Sequence, residues 1–526
     1  MSENTYPSVN DLTLEEKASL TSGGDAWHLQ GVEAKGIPGY MITDGPHGLR
    51  KSNSATTGEV DLNNSVPATC FPPAAGLSSS WNPELIHQVG EAMAEECIQE
   101  KVAVILGPGV NIKRNPLGGR CFEYWSEDPY LAGHEAVGIV AGVQSKGVGT
   151  SLKHFAANSQ ETDRLRISAN ISQRALREIY FPAFEHIVKE AQPWTIMCAY
   201  NCINGVHAAQ DRWLLTDVLR DEWGFQGIVM SDWGADHDRV ASLNAGLNLE
   251  MPPSYTDDQI VYAARDGRIQ PAQLDRMAQG MIDLVNKTRA AMSVENYRFD
   301  IEAHDEVAHQ AAVESMVLLK NDDAILPVAG DAKVTVIGEF ARTPRYQGGG
   351  SSHITPTKMT SFLDALTERG VDAKFAPGFT LDLEPADPAL EAEAVEAAKG
   401  ADVVLMFLGL PEAAESEGFD RETLDMPAKQ IALLEAVAAE NKNVVVVLSN
   451  GSVVTVAPWA KNAKGILESW LLGQSGGPAL ADVLFGKVSP SGKLAQTIPF
   501  DINDDPSTIN WPVSYTHLTL PTILRV

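Results

Sequence analysis

The sequence predicts an α/β protein built on two successive sheets, and two observations carry that prediction. Between residues 39 and 251 one pattern recurs: a short apolar run, then polar or ionisable residues, then a loop and a helical stretch. Strands that alternate with helices favour a parallel sheet, and a sheet closed into a barrel gathers the carboxyl ends of its strands around one mouth. From residue 333 a second series of apolar runs and helices is typical of an open, doubly wound sheet.

Five apolar runs predict the strands of the first sheet, and each ends at a polar residue. Continuous runs that contain β-branched residues suit strands covered on both faces. An acid at the end of such a run, taken alone, is more often a loop cap or an ion-pair partner than a nucleophile. The runs are GYMITDGPHG ending near Asp44, VAVILGPGVNIKR near Asn111 and Arg114, GTSLKH at Lys153 and His154, TIMCAYN at Tyr200 and Asn201, and GIVMSDW at Asp232.

Four further runs predict the second sheet, with helices between them. The stretch 427–440 is predicted to be a helix with Asp425 as its N-cap and Pro427 in its first turn. The runs are KVTVIGEF from residue 333, DVVLMFLGL at 402–410, NVVVVLSNG at 443–451 and GILESWLLG at 465–473.

These patterns divide the chain into segments. Residues 1–300 are assigned to the barrel-like domain, 301–330 to a linker with a bridging helix, and 331–512 to the second α/β domain. Residues 513–526 continue neither sheet and look like the translation of a sequencing adapter, so a non-native tail is expected there. A genuine edge strand is the alternative.

Composition argues against several classes of partner. The 69 acidic and 40 basic residues give a formal net charge of -29, which repels phosphate backbones and anionic lipids, so neither nucleic acid nor membrane is expected to bind. The sequence contains no run of about 18 apolar residues, the length that a membrane-spanning helix needs. Five cysteines without a CxxC pair give no zinc pattern, and the N-terminus shows no signal peptide, so a cytoplasmic location is expected.

Side chains at the predicted strand ends suit a carbohydrate ligand. In a closed barrel they would form a cluster of acids, cations and hydrogen-bonding groups at the mouth. Sugar hydroxyls both donate and accept hydrogen bonds, and charged groups in fork geometry satisfy them best. The cluster consists of Asp44, Arg50, Arg114, Arg120, Lys153, His154, Arg164, Tyr200 and Asp232.

Ordered motifs surround this cluster and extend into the second half. In the first half they are MITDGPHGLR (41–50), LGPGVNIKRNPLGGRCFEYWSEDPYLAG (106–133), SLKHFAANSQETDR (151–164), MCAYNCINGVHAAQD (197–211) and GFQGIVMSDWGA (224–235). In the second they are VLLKNDDAILPV (317–328), QGGGSSHITP (347–356), ESEGFDRETLDMP (415–427) and GQSGGPALADVLFGKVSPSGKLAQTIP (473–499). Together they resemble glycoside hydrolase family 3, most of all its β-glucosidase branch, to about residue 512. The resemblance implies a (β/α)8 TIM-like barrel followed by an α/β sandwich with a mostly parallel sheet.

The resemblance also implies residue roles in retaining hydrolysis. Asp232 matches the nucleophile, and Glu417 matches the general acid and base, with Glu415 as its rival. Arg and Lys neighbours are expected to keep Asp232 ionised, and its negative charge is expected to raise the pKa of Glu417. Two carboxylates and water suffice for this chemistry, so neither a metal nor an organic cofactor is expected. The residues that match the sugar-binding subsite are Asp44, Arg50, Arg120, Lys153, His154, Arg164, Tyr200 and Trp233.

The resemblance leaves the substrate open. The expected activity is exo-acting release of terminal β-D-glucose from β-glucosides or cello-oligosaccharide-like substrates. A β-xylosidase or α-arabinosidase is the alternative, because one hydroxymethyl group decides between these sugars. The β-N-acetylglucosaminidase branch is disfavoured, since SLKHFAANSQETDR lacks its Gly-His run. Members of this type usually continue into a fibronectin type III-like domain, so a truncated sugar-binding fragment without activity is a further alternative.

The glycine-rich stretch 347–356 invites a different interpretation, a phosphate-binding loop. It lacks the GK[ST] ending of such loops, and no helix clearly starts on it. By the same resemblance it is expected to line the aglycone side of the site.

Overall fold

The computed structural model describes residues 6–53, 64–512 and 517–518. Five strands of the first half form one parallel sheet in the order β1-β3-β4-β6-β9, and these are the five runs that the sequence predicted. The strands of this half are β1 (Met41–Asp44), β2 (Pro67–Ala68), β3 (Val102–Leu106), β4 (Gly149–Phe155), β5 (Ser168–Ile171), β6 (Thr195–Cys198), β7 (Cys202–Ile203), β8 (Val206–His207) and β9 (Ile228–Ser231).

Single bridges continue this sheet from β9 back to β1. The segment 22–29 folds back on itself and fills the gap, although it contains no apolar run of strand length. The barrel-like form predicted for the first half is therefore confirmed, with an irregular section in its wall. The bridges join Met230 to Leu249, Glu250 to Ser22, Gly23 to Leu29, and His28 to Met41.

Helices of the first half pack around this sheet, with α3 against α4 and α4 against α6. Pro83 occupies the first turn of α3, and the Asn82 side chain accepts a hydrogen bond from the Leu85 amide at 3.2 Å, which satisfies one free donor of the helix start. The helices are α1 (Leu14–Ser19), α2 (Ala74–Ser80), α3 (Pro83–Glu100), α4 (Pro129–Ser145), α5 (Gln173–Ala175), α6 (Pro182–Ala191), α7 (Arg239–Ala245), α8 (Asp257–Arg265) and α9 (Pro271–Met292), with π-helical turns at Leu176–Tyr180 and Trp213–Glu222.

The second half is built on a six-stranded sheet in the order β10-β16-β15-β14-β11-β13, with β10 antiparallel to its neighbour. The mostly parallel α/β sandwich is thereby confirmed. The four predicted runs are β11, β14, β15 and β16. Its elements are α10 (Ile301–Ser315), β10 (Val317–Asn321), β11 (Val334–Ile337), β12 (Thr355–Pro356), α11 (Phe362–Glu368), β13 (Ala373–Ala376), α12 (Pro388–Ala398), β14 (Val403–Gly409), α13 (Ala428–Glu440), β15 (Val444–Ser449), β16 (Gly465–Glu468) and α14 (Gly476–Leu484).

Two local features of this half differ from the sequence predictions. The edge strand β13 was not predicted, because its residues AKFA are only half-buried and form no long apolar run. The N-cap of α13 is Pro427 rather than Asp425. The Asp425 carboxylate instead accepts a hydrogen bond from the Thr455 hydroxyl at 3.2 Å, so the prediction of this cap is wrong.

The predicted domain boundaries stay a prediction, and β10, inside the predicted linker, pairs with the second sheet. Of the predicted non-native tail 513–526 the structure describes His517 and Leu518, which form β17 and pair with β5. The other residues of that tail lie outside the described residues. Within the described ranges, none of the helices combines the length and the apolar character needed to cross a bilayer.

Candidate active site

Asp232 follows β9 directly, at the mouth of the barrel. Its Oδ1 accepts a hydrogen bond from the Trp233 amide at 2.8 Å. Its Oδ2 is buried, lies 3.7 Å from the Nε2 of His154, and has no hydrogen-bond partner among the described residues. Burial raises the pKa of Asp232, and nearby cations, Arg120 and Lys153 foremost, offset only part of that rise. The expected cations are therefore neighbours of this carboxyl, but they do not outweigh its desolvation.

Asp44 and two cations form the next part of the cluster. Asp44 is the last residue of β1, and its Oδ2 lies 3.2 Å from the Nη1 of Arg50. Its Oδ1 lies 4.0 Å from the Nζ of Lys153, a residue of β4. Burial raises the pKa of Asp44 to about 6 against the opposing charges of Lys153 and Arg50. One acceptor thus lies beside two donors, the combination that sugar hydroxyls require.

His154 in β4 presents a neutral imidazole to Asp232. Its backbone amide and carbonyl are both hydrogen-bonded to the Asn111 side chain, at 2.8 and 2.9 Å. Its Nδ1 lies 3.2 Å from the Tyr124 hydroxyl. Burial, reinforced by nearby cations, holds the pKa of His154 well below its ordinary value. The ring can therefore hydrogen-bond a hydroxyl without adding a charge beside Asp232.

Glu417 enters the same cluster from the loop that follows β14. Its Oε1 accepts hydrogen bonds from the Nη1 of Arg164 at 2.9 Å and the Nη1 of Arg120 at 3.4 Å. Its Oε2 accepts from the amide of Ser351 at 2.8 Å and from its hydroxyl at 2.6 Å. The carboxyl group is thus held by donors from both halves of the chain.

The surroundings of Glu417 lower its pKa. Burial alone would raise the pKa of this carboxyl, but the guanidiniums of Arg120 and Arg164 and the two Ser351 donors outweigh burial and hold it far below its usual range. The expectation of a raised pKa is therefore wrong for this arrangement. That expectation considered the charge of Asp232 and not the cations that contact Glu417 directly.

Glu415, the rival candidate, is directed into the sandwich. It is 1% exposed, its Oε1 lies 2.5 Å from the Nη1 of Arg345, and the same oxygen accepts from the Gly451 amide at 2.5 Å. Among the described residues, none of its hydrogen bonds or ion pairs reaches a predicted sugar-binding residue. Two acids only two positions apart therefore face different surroundings.

The remaining predicted residues link these parts. The guanidinium of Arg164 lies 5.2 Å from the centre of the Tyr200 ring, and the Tyr200 hydroxyl donates to the Trp233 carbonyl at 3.2 Å. The Trp233 ring lies 5.3 Å from the Trp27 ring. Arg114, grouped with the cluster by sequence, instead acts electrostatically on Tyr180. The structure thus brings one set of predicted residues into a connected network: Asp44, Arg50, Arg120, Lys153, His154, Arg164, Tyr200, Asp232, Trp233 and Glu417.

Sequence reasoning missed the acids that grip the two arginines. Glu123 accepts from the Nε and Nη2 of Arg120 at 2.8 and 2.9 Å, and it lies 3.4 Å from the Nζ of Lys153. Glu161 accepts from the Nη1 of Arg164 at 2.6 Å. In both pairs the acid and the arginine are three positions apart in the sequence. This spacing is the sequence feature that could have predicted the two ion pairs.

The loop side of the site contains three further residues that sequence reasoning missed. Ser351 belongs to the glycine-rich stretch 347–356, which therefore holds Glu417. Gly350 has a φ of +98°, and a Cβ there would lie 2.5 Å from the Cβ of Glu417, so the close approach favours glycine. The Asp420 carboxylate accepts from the amides of Gly119, Glu161 and Thr162 and from the Thr162 hydroxyl, at 2.6–3.1 Å.

A cavity of about 1000 Å³ lies elsewhere, on the sandwich beside the loop that contains Glu417. It is lined by apolar groups such as Leu410, Phe419 and Met426. None of the predicted catalytic or sugar-binding residues lines it. We therefore locate the candidate site by its side-chain chemistry rather than by the size of an opening.

Comparisons with known proteins point to one family across both halves. A model described as the glycosyl hydrolase family 3 N terminal domain matches residues 49–284, and one described as the C-terminal domain of the same family matches residues 316–518. The exo-alpha-(1->6)-L-arabinopyranosidases of Bifidobacterium breve and Bifidobacterium longum are each 85% identical over 98% of this chain and 70% of their own length. A crystal structure of a Bifidobacterium adolescentis GH3 beta-glucosidase is 87% identical with a TM-score of 0.94, over 98% of this chain and 74% of that one.

Proposed function

The chain belongs to glycosyl hydrolase family 3, and from this premise we propose that it is a retaining exo-α-L-arabinopyranosidase. Action on a glycoside follows from the family, whereas the choice of sugar rests on the names of the two relatives that are 85% identical. The sequence interpretation preferred β-glucosidase and kept two alternatives, a β-xylosidase or α-arabinosidase and an inactive sugar-binding fragment. The names of these relatives favour the α-arabinosidase.

β-Glucosidase activity is the second candidate, supported by the 87% identical crystal structure, which is that of a GH3 beta-glucosidase. An α-L-arabinopyranoside and a β-D-glucopyranoside both carry an equatorial glycosidic bond. They differ in the hydroxymethyl group, which arabinose lacks, and in the orientation of the 4-hydroxyl. Asp44 and Arg50 are proposed to hold the hydroxyls far from the anomeric carbon, so their surroundings would discriminate between the two sugars.

In the first step, Asp232 is proposed to attack the anomeric carbon while Glu417 gives its proton to the glycosidic oxygen. The C1–oxygen bond breaks, the aglycone leaves as an alcohol, and C1 becomes bonded to an oxygen of Asp232. The Oδ2 of Asp232 is proposed to form that bond, since Oδ1 is held by the Trp233 amide. Charge-assisted contacts from Lys153 and Arg120 would strengthen as the sugar approaches the transition state.

In the second step, the ionised Glu417 is proposed to take a proton from water. The resulting hydroxide equivalent adds to C1, the bond to Asp232 breaks, and the sugar leaves with its original anomeric configuration. Two inversions at C1 therefore give net retention. The donors around Glu417 in the free protein suit this second step, because they stabilise the ionised form.

One observation supports this proposal above the others: a buried acid from the barrel and a partly buried acid from the sandwich loop belong to one network of cations. Arg120 and Arg164 contact Glu417 and also act electrostatically on Asp232. Such pairing of a nucleophile with an acid and base is what retaining hydrolysis requires. Glu415, the rival acid of this loop, makes no such contact among the described residues.

A panel of 4-nitrophenyl glycosides tests the proposal. We expect the highest kcat/KM with the α-L-arabinopyranoside, a lower value with the β-D-glucopyranoside, and α-L-arabinopyranose as the first product seen by NMR. A 2-deoxy-2-fluoro arabinopyranosyl inhibitor is expected to label the peptide that contains Asp232. A higher kcat/KM for the glucoside would select the second candidate. The β anomer as first product, or label on another peptide, would contradict the mechanism.

A further inference from the structure

A single nitrogen of Arg164 is shared by two carboxylates. The Nη1 atom donates to the Oε1 of Glu417 at 2.9 Å and to the Oε2 of Glu161 at 2.6 Å. The shorter contact is to Glu161, which the proposed reaction does not use. A guanidinium placed this way stabilises the ionised form of both acids, so the protonation state of one acid affects that of the other.

Glu161 is fixed on both sides of this contact. It is 4% exposed, and its Oε2 also accepts a hydrogen bond from the amide of Gly418, the residue after Glu417, at 2.9 Å. Its own amide donates to the Asp420 carboxylate. The Glu161 carboxyl therefore lies against the loop that holds the general acid. No hydrogen bond or ion pair to Asp232 is seen for Glu161 among the described residues.

Other charges bear on this pair from each element packed against it. The opposing cations are Arg164 and, from the loop after β3, Arg120. Asp44 and Tyr200 interact electrostatically with Glu417, and Tyr124 with Glu161. Glu123 forms an ion pair with Arg120, and the Asp420 carboxylate accepts a hydrogen bond from the backbone amide of Glu161. Of these acids, Glu161 is the one that contacts the same guanidinium nitrogen as Glu417.

We propose that Glu161 is a positioning residue that sets the protonation of Glu417 through the shared Arg164. When Glu161 is ionised, it draws the guanidinium toward itself and adds a negative charge near Glu417, so Glu417 holds its proton more tightly. When Glu161 is neutral, the charge of Arg164 acts on Glu417 and not on Glu161, so Glu417 loses its proton more easily. The inference rests on the proposed role of Glu417 as general acid.

The electrostatics of Glu161 support a role near neutral pH. Burial raises the pKa of Glu161 to about 7, against the opposing charges of Arg120 and Arg164. Because the two acids interact through one cation, they titrate as a pair rather than as independent groups. Because Glu161 is ionised only above about that pH, its negative charge acts on Glu417 in the alkaline part of the pH profile.

The test is the pH profile of Glu161→Gln, which keeps an acceptor for Arg164 and for the Gly418 amide but removes the charge. The alkaline limb of kcat/KM reports the loss of the acid's proton. We expect this limb to move to lower pH by about one pH unit or more for an alkyl α-L-arabinopyranoside, which needs protonation of its leaving group. With a 2,4-dinitrophenyl arabinopyranoside, which does not, the change should be much smaller. A limb that stays in place or moves to higher pH overturns the proposal.

Asp420→Asn is the matched control. It changes the hydrogen bonds that join the Glu161 segment to the loop of Glu417, but it does not alter a contact of Arg164. If Glu161 served only to hold the loop, both variants would lower kcat/KM at every pH and leave the limb in place. Should Glu161→Gln fail to fold, Glu161→Asp replaces it: the shorter carboxylate withdraws from Arg164, and its limb is expected to move the same way by less. A limb at the wild-type position would then contradict the proposal.

The activity of the wild-type chain distinguishes a failure of the proposed function from a failure of the proposed role of Glu161. If the wild-type chain does not turn over any of the arabinosides or glucosides with retention, the proposed function is wrong. If it does, and the limb of the Glu161 variant does not move, only the role of Glu161 is wrong.

Discussion

The two sides of the cleft are built differently. On the barrel side, Asp44, Lys153, His154 and Asp232 lie in or directly after strands of one parallel sheet, so the backbone ladder sets their positions. On the sandwich side, Glu417 lies in a loop that is held by donors from elsewhere in the chain. The barrel side is thus defined within its own sheet, whereas the acid is positioned only when the two halves are in contact.

This difference extends to the charge states of the two acids. Asp232 receives a hydrogen bond from the Trp233 amide, and burial raises its pKa. Glu417 receives hydrogen bonds from two arginines and from Ser351, and its pKa is lowered. Direct hydrogen-bond donors outweigh desolvation at Glu417, whereas desolvation outweighs the nearby donor and cations at Asp232. Substitutions on each side should therefore produce different signatures.

Removing the proposed nucleophile should have the largest effect. We expect Asp232→Ala to lower kcat by roughly 10⁴-fold or more with every leaving group, because the covalent intermediate cannot form. Thermal melting should show a folded protein. Asp236→Asn is the control, since this neighbouring buried acid accepts from the Ser242 hydroxyl at 2.7 Å and lies outside the network. Turnover near the wild-type value in Asp232→Ala would contradict the assignment of Asp232 as the nucleophile.

Truncating each of the two candidate acids of the sandwich loop should separate an effect on chemistry from an effect on stability. Glu417→Ala is expected to lose about 10²–10⁴-fold in kcat/KM with poor leaving groups and much less with 2,4-dinitrophenyl substrates. Azide should restore turnover as a glycosyl azide. Glu415→Ala is expected to lower the free energy of unfolding by about 3–5 kcal/mol, because Arg345 is left buried without its partner. Azide rescue of Glu415→Ala instead would exchange the two roles.

The sequence predicted the barrel side more completely than the sandwich side, for a physical reason. Apolar runs that end in polar residues mark buried parallel strands, and the end of such a strand fixes where Asp232 and Lys153 lie. Within the loop, composition alone indicated an acidic turn. The choice of Glu417 over Glu415 came from the resemblance, not from the residues themselves.

What the sequence did not predict depends on contacts between distant segments. Ser351 lies 66 positions from Glu417, and Asp420 lies 259 positions from Glu161. Neither strand periodicity nor helix periodicity encodes such pairs. The predicted sign of the Glu417 pKa shift was wrong for the same reason, since it depends on Arg120 and Arg164 contacting the loop.

Removing one donor from Glu417 should sharpen the contrast between the two acids. In Ser351→Ala the hydroxyl contact of 2.6 Å is lost while the backbone donor remains. A hydrogen bond to a charged group contributes about 1.5–3 kcal/mol, so the pKa of Glu417 should rise by about one unit or more. The alkaline limb of kcat/KM should move to higher pH, opposite to Glu161→Gln. Ser352→Ala is the control, since its buried hydroxyl has no hydrogen-bond partner among the described residues; equal limbs in both serine variants would contradict the prediction.

The smallest expected effect concerns stability, at a contact between the barrel and α10 that is away from the cleft. The Nδ1 of His304 lies 2.9 Å from Glu96 and its Nε2 3.3 Å from Glu95. Burial lowers the pKa of His304, but the two acids outweigh burial and raise it above its ordinary value. A raised folded-state pKa stabilises the fold fully below the unfolded pKa, and this stabilisation is lost as pH rises through the folded value.

His304→Gln should therefore lower the melting temperature more at pH 5.5 than at pH 8.5, by an amount corresponding to about 1–3 kcal/mol at the lower pH. His87→Gln, which removes a half-exposed histidine 3.9 Å from Glu91, is the control for the loss of a surface imidazole. A His304→Gln deficit that grows with pH would show that the imidazole is neutral in the folded protein.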